Sequence, residues 1–167
     1  MTTRPMIRTL LGLAAFAALA LAVPAAAQTA SATFQVSANV LKNCTVSAGD
    51  VVIGAYDPVV ANDTADATGT GTVTVRCTKN TLYNVGLNDG SHVGRRMQVG
   101  ASGDFLSYEL YSDSGYTSVW GATGTARVTR TASSSAAFAH TVYARVPAGQ
   151  DVDQGAYTDT VTATIEF

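Results

Sequence analysis

After Val23 the chain has no stretch of helical periodicity, and it has few charges. Charged residues make up 13% of the 167 residues, and Lys42 and Lys79 are the only lysines. No basic patch is available to neutralise phosphates, so nucleic acid is not an expected partner. Histidine is limited to His92 and His140. There is no Gly-x-Ser-x-Gly turn and no His-x-x-x-His pair, so the sequence offers no nucleophile-and-base constellation and no catalytic residues. No metal or cofactor site is expected either. Two cysteines so far apart, Cys44 and Cys77, do not make a zinc spacing. Asn62, Asp63 and Asp66 lack the ordered ligand pattern of a calcium loop and read as a solvated turn. Beyond Val23 no apolar run approaches the about 20 residues that a membrane helix needs.

The first 27 residues read as a secretory signal. Arg4 and Arg8 supply a positive start, Leu10 to Val23 is uncharged and apolar, and Pro24 breaks it before Ala25-Ala26-Ala27. The mature chain is expected to begin at Gln28, with no stable membrane insertion after cleavage. Removing Arg4 and Arg8 leaves it acidic and about the length of one domain. Export places the two cysteines in an oxidising compartment, where a Cys44–Cys77 disulfide is expected.

What the mature sequence does have is alternation. Thr33 to Val40 puts Phe34, Val36, Ala38 and Val40 on one face and polar residues on the other. Val51 to Tyr56 is a short apolar run closed by Asp57-Pro58. Thr72 to Cys77 aligns Val73, Val75 and Cys77. Asn84 to Asn88 ends at the hairpin signal Asp89-Gly90. Leu106 to Ser112 aligns Leu106, Tyr108 and Leu110 and turns Tyr111 to the opposite face; Ala126 to Thr129 reads as an edge strand. His140 to Val146 aligns Val142, Ala144 and Val146. The longest strand is expected over Tyr157 to Phe167, with Tyr157, Val161, Ala163, Ile165 and Phe167 facing one way. Asn62 to Gly71, Ser91 to Asp104 and Pro147 to Gly155 read as loops, the second presenting Arg95 and Arg96 on an exposed hairpin. Tyr108, Tyr111, Tyr116 and Trp120 invite a sugar-binding reading, but Tyr108 alternates with the apolar face and is assigned to the core. Seven or so short strands between turns point to an all-β sandwich. The chain stops at Phe167 directly after a strand, so one sheet edge is expected to need covering.

Five stretches resemble the spore coat protein U domain family, shared with subunits of archaic chaperone–usher biofilm pili. They are VSANVLKNCTVS, ATGTGTVTVRCT around Cys77, RRM at Arg95 to Met97, LSYELYSDSGYTSVWG from Leu106, and VYARVPAGQDVDQGAYTDTVTATIEF at the end. The resemblance implies an incomplete immunoglobulin-like β-sandwich completed by a donor strand. It implies a division into signal peptide (1–27), N-terminal donor extension (28–41) and pilin domain (42–167). Phe34, Val36, Ala38 and Val40 are then donor side chains, and Tyr157 to Phe167 flanks the acceptor groove. The implied partners are neighbouring pilin subunits, a periplasmic chaperone and an outer-membrane usher, and the implied location is the cell surface, reached through the periplasm. Two alternatives stand beside this reading: a self-complemented spore or envelope coat protein, in which Thr33 to Val40 folds into its own groove, and a surface-binding adhesin, disfavoured because such adhesins carry an extra binding domain. A secreted hydrolase is disfavoured for want of catalytic residues.

Overall fold

The computed structural model describes residues 26–100 and 103–167; the signal segment, apart from its last two residues, lies outside them. The chain divides into two units, Met1–Ala38 and Asn39–Phe167. In the second unit ten strands appear in chain order: β1 Cys44–Val52, β2 Ala67–Cys77, β3 Leu82–Leu87, β4 Arg96–Val99, β5 Phe105–Ser107, β6 Glu109–Tyr111, β7 Val128–Thr131, β8 Phe138–Val146, β9 Tyr157–Thr158 and β10 Ala163–Glu166. One 3₁₀ turn, Gly124–Ala126, is the only helical element among the described residues.

The strands form three antiparallel sheets, ordered β1-β2-β8-β6, β10-β3-β7 and β5-β4-β9. Alternation decides what each contributes. β2 turns Val73, Val75 and Cys77 inward, β8 turns Val142, Ala144 and Val146, and β3 turns Tyr83, Val85 and Leu87. These residues, with Leu106, Tyr108, Leu110 and Trp120, make one core. Trp120 is fully buried, and its indole N–H donates to the Val85 carbonyl at 2.9 Å.

Several expectations are corrected. Asn62 to Gly71 is not all loop, because β2 starts at Ala67. Its Thr-Gly repeat looks like a turn composition, but the glycines are there for packing. A Cβ at Gly69 would collide with the Val52 backbone, and one at Gly71 with the Val51 side chain. Both lie against the irregularity of β1 between Gly49 and Val52. β1 itself runs through Cys44 to Val52, whereas the apolar run suggested a start at Val51. Asp89-Gly90, with Gly90 at φ 88°, closes no hairpin: β3 pairs with β10 and β7, and β4 lies in another sheet. The single strand expected over Tyr157 to Phe167 is two. β9 pairs with β4, β10 pairs with β3, and 159–162 cross between them.

The RRM segment departs furthest from its reading. Arg95 is 3% exposed. Its guanidinium donates to Glu109 Oε1 at 3.0 Å, to the Leu87 carbonyl at 3.1 Å and to the Trp120 carbonyl at 2.6 Å. It is therefore an interior cross-link and not part of an exposed loop. Tyr111 lies on the face opposite Leu110, as expected, but is buried there outside the core, edge-on to Tyr116 and with Arg145 donating to its hydroxyl at 2.8 Å.

Candidate functional site: an apolar cleft between two sheet edges

β1 is an outer strand of its sheet, bonded only to β2, and β10 is an outer strand of its own, bonded only to β3. A cleft of about 480 Å³ opens where they come together. Val73, Leu87, Leu110, Val142 and Ala144 form its apolar floor. One rim is Ala48 to Ile53; the other runs from Tyr157 to Val161, with Ala163. Core side chains that a closed double sheet would cover are instead reachable here.

The second rim is built by a small polar lock. The Asp159 carboxylate accepts from the Tyr108 hydroxyl at 2.6 Å, the Ser91 amide at 2.7 Å and the Thr160 amide at 2.8 Å. Burial, then the bond to Asp159, holds the Tyr108 phenol well above its ordinary pKa, so it stays a donor. Thr162 sends both backbone groups toward Asn88. Its amide donates to the Asn88 side chain at 2.7 Å, and its carbonyl accepts the Asn88 amide at 3.1 Å. The alternation of an antiparallel ladder then turns the backbone groups of Val161, Ala163 and Ile165 to the open side. Those residues are also the ones whose side chains lean on the core. The edge thus offers free backbone pairing directly above an apolar floor.

Of the five expected rim residues, Tyr157, Val161 and Ala163 line the cleft. Ile165 packs on the core beyond it, and Phe167 is 48% exposed with the Lys42 ammonium 5.8 Å from its ring. Sequence reasoning missed the other rim, because Ala48, Gly49 and Asp50 carry no apolar alternation. It also missed Asp159, whose role comes from long-range partners. The strand-like segment Thr33 to Val40 forms no strand: residues 26–43 have no ladder, and Phe34, Val36, Ala38 and Val40 are exposed. Phe34, at 88% exposure, is among the most exposed large apolar side chains in the described residues.

Cys44 and Cys77 are bonded, and they are directly opposed residues of β1 and β2. Changing both to serine should lower stability by about 2–5 kcal/mol in denaturant unfolding. Thiol labelling of unfolded, unreduced wild type should find no free thiol; two labelled cysteines contradict the bridge.

The histidines sit in separate surroundings. His92 Nδ1 is 3.6 Å from Asp159 and packs edge-on to Phe105. His140 is buried among Tyr83, Trp120 and Phe138, with Nε2 3.0 Å from the Tyr83 hydroxyl. Burial, and secondarily the Arg130 charge, lowers its pKa from the ordinary 6.5. A depressed histidine favours the neutral form in the fold. The stability it contributes is complete above pH 6.5 and is lost as pH falls through the folded pKa. Unfolding free energy should therefore decline on acidification below pH 6.5, and His140→Gln should flatten that decline. An unchanged pH slope in the variant contradicts the assignment. Among the described residues no three His, Cys, Asp or Glu side chains gather as a metal site. Asn62 is committed to its own turn, accepting from the Asp57 amide at 2.9 Å and donating to the Ala65 carbonyl at 2.9 Å.

Comparison with known proteins gives a consistent result. Residues 30–164 match the Spore Coat Protein U domain. The chain is 36% identical over 159 residues to Protein U of Myxococcus xanthus, covering 86% of this chain and 88% of that one. A solved relative comes from the CsuC–CsuE chaperone–tip adhesion subunit pre-assembly complex of the archaic chaperone-usher Csu pili of Acinetobacter baumannii. It is 27% identical with a TM-score of 0.56 over 77% of this chain, which spans 40% of that chain's length.

Proposed function

The chain belongs to the Spore Coat Protein U domain family, and on that premise we propose that it is a structural subunit of a surface pilus, polymerising by donor-strand exchange. The observation that carries this reading is the match between an open sheet-edge cleft and a segment that has strand periodicity but no ladder. The cleft between β1 and β10 has an apolar floor and free backbone on its rim. Thr33 to Val40 has the matching period-two apolar face and no ladder of its own. A strand laid in the cleft makes an incomplete immunoglobulin-like sandwich complete, with backbone bonds supplying affinity and alternate side chains filling the floor. Until a neighbour arrives, a periplasmic chaperone supplies that strand and an outer-membrane usher is where the exchange occurs. The solved complex of a chaperone with a pilus subunit supports this order of partners. The disulfide fits export to the cell surface. No catalytic step is assigned.

The connection between strand and domain favours a neighbour over the chain itself. Only Leu41, Lys42 and Asn43 separate Val40 from Cys44. To turn back along β1 into its own cleft, the chain would have to make a tight hairpin of those three residues. The connector is also held: Thr78 Oγ1 donates to the Leu41 carbonyl at 3.0 Å and accepts the Asn43 amide at 3.1 Å. Likeness to Protein U favours a second reading, a coat subunit that fills its own cleft. Electrophoresis of surface material in SDS without heating separates the two. Strand exchange gives a ladder of multimers that boiling collapses; a lone monomer in both lanes favours self-completion and overturns the polymer.

A further inference from the structure

The two ends of the domain differ in a way that the cleft does not use. β1 and β2 set the long axis, and nine residues of β1 span about 30 Å. At one end Cys44 opposes Cys77. The connector Leu41–Asn43 and the turn Thr78–Thr81 lie there, and Leu82 follows with 56% of its surface exposed. Both lysines of the chain, Lys42 and Lys79, are exposed at this end. Glu166, at the end of β10, is paired with Arg127.

The opposite end is built from three loops tied to one another. The Gly149 amide donates to the Asn62 carbonyl at 2.8 Å, the Ala148 amide to Asp66 at 2.9 Å and the Asp153 amide to Asp104 at 3.1 Å. Asp57, Asp63, Asp66, Asp104, Asp151 and Asp153 collect there, all exposed. At the tip Val59 and Val60 project, 82% and 77% exposed. Their display is fixed, because Asp57 Oδ1 accepts both of their amides at 3.0 and 3.1 Å. Two adjacent valines held out to water on a bonded turn are an apolar surface without a cover.

We propose that this tip docks on the lysine end of a second copy, so that successive subunits stack head to tail. The inference rests on the strand-exchange reading. The clamped three-residue connector then presses the donor's lysine end against one end of the acceptor. Charge selects which end. Two lysine ends repel, as do two aspartate ends, whereas the lysine end and the aspartate end attract. Val59 and Val60 then meet Leu41 and Leu82, which are otherwise exposed. A head-to-tail contact of this kind is heterologous and propagates as an open filament.

Carbodiimide treatment of assembled polymer tests the contact directly. Lysine and aspartate ends lie about 30 Å apart within one chain, so a zero-length Lys–Asp bond between them has to join two chains. Mass spectrometry should find Lys42 or Lys79 bonded to Asp63, Asp151 or Asp153. The double variant Lys42→Glu/Lys79→Glu should lengthen the polymer about tenfold more slowly at low salt. Adding Asp63→Lys and Asp151→Lys should restore the rate. A normal SDS-resistant ladder with no such Lys–Asp bond, or with lysines joined only to Glu166, overturns the head-to-tail contact and leaves strand exchange standing. So does a four-site variant no faster than the double. Absence of any ladder from the unsubstituted protein overturns strand exchange, and this contact with it.

Discussion

Val36→Asp should abolish polymerisation, while Ser37→Asp one position away should leave it nearly intact. Phe34, Val36 and Val40 alternate on one face. Together with Ala38 they supply on the order of 5–9 kcal/mol per junction as an upper limit, from about 1.5–3 kcal/mol per large side chain. The cleft floor of Val73, Leu87, Leu110, Val142 and Ala144 offers no cation to a carboxylate. An aspartate placed there either stays protonated or is buried unpaired at a cost of several kcal/mol. That is comparable to the whole apolar contribution of the junction. The variant keeps its own cleft, so it should fold against its chaperone and accumulate as chaperone-bound monomer. Ser37 falls on the other face of the period-two pattern, so its aspartate points to water. The check is the unheated SDS ladder together with the amount of chaperone complex. Equal assembly by both variants removes this register from consideration.

The second large effect is on folding. Arg95→Met should lower the unfolding free energy by roughly 3–5 kcal/mol, because it breaks a buried charged network from one side. The methionine leaves the Leu87 and Trp120 carbonyls without a donor and strips the half-exposed Glu109 of its cation. Each buried group left unsatisfied costs about 1–3 kcal/mol. Arg96→Met is the control. Its guanidinium rests on the Phe105 ring at 4.4 Å at a partly exposed site, where such a contact is worth about 0.5–1 kcal/mol. Denaturant midpoints of the two variants should differ widely. A similar loss from both contradicts the interior role of Arg95.

Those two arginines show where the sequence stopped being legible. Side by side in a glycine-rich stretch, they look equally solvated. Burial of Arg95 depends on carbonyls from Leu87 and Trp120 and a carboxylate from Glu109, and no local pattern announces those acceptors. Tyr111 does face away from the core as its period implied, but its burial there was hidden, since its cover comes from Arg145 and Tyr116. The extent of β2 was hidden because its glycines answer to the β1 backbone and not to a turn. Where burial follows period alone, reading was straightforward. Val73, Val75, Val142, Ala144, Val146, Leu106, Tyr108 and Leu110 are core as their spacing implied. The cleft was half legible. Tyr157, Val161 and Ala163 alternate, but the facing rim of β1 is written in alanine, glycine and aspartate.

The position of the disulfide bears on how a fibre carries load. A pull on the N-terminal extension enters the domain at Cys44, the first residue of β1. β1 is held by a ladder on one side only, and without a crosslink that single ladder would carry the whole tension. The Cys44–Cys77 bond sits at that first position and joins it to the end of β2. β2 has ladders on both sides, to β1 and β8. Tension therefore bypasses the weak edge and is delivered to an interior strand, whose bonds to β8 run from Ala67 to Val75 and must be sheared together. A crosslink that looks like a thermodynamic staple is also the mechanical coupling between the tether and the body of the subunit.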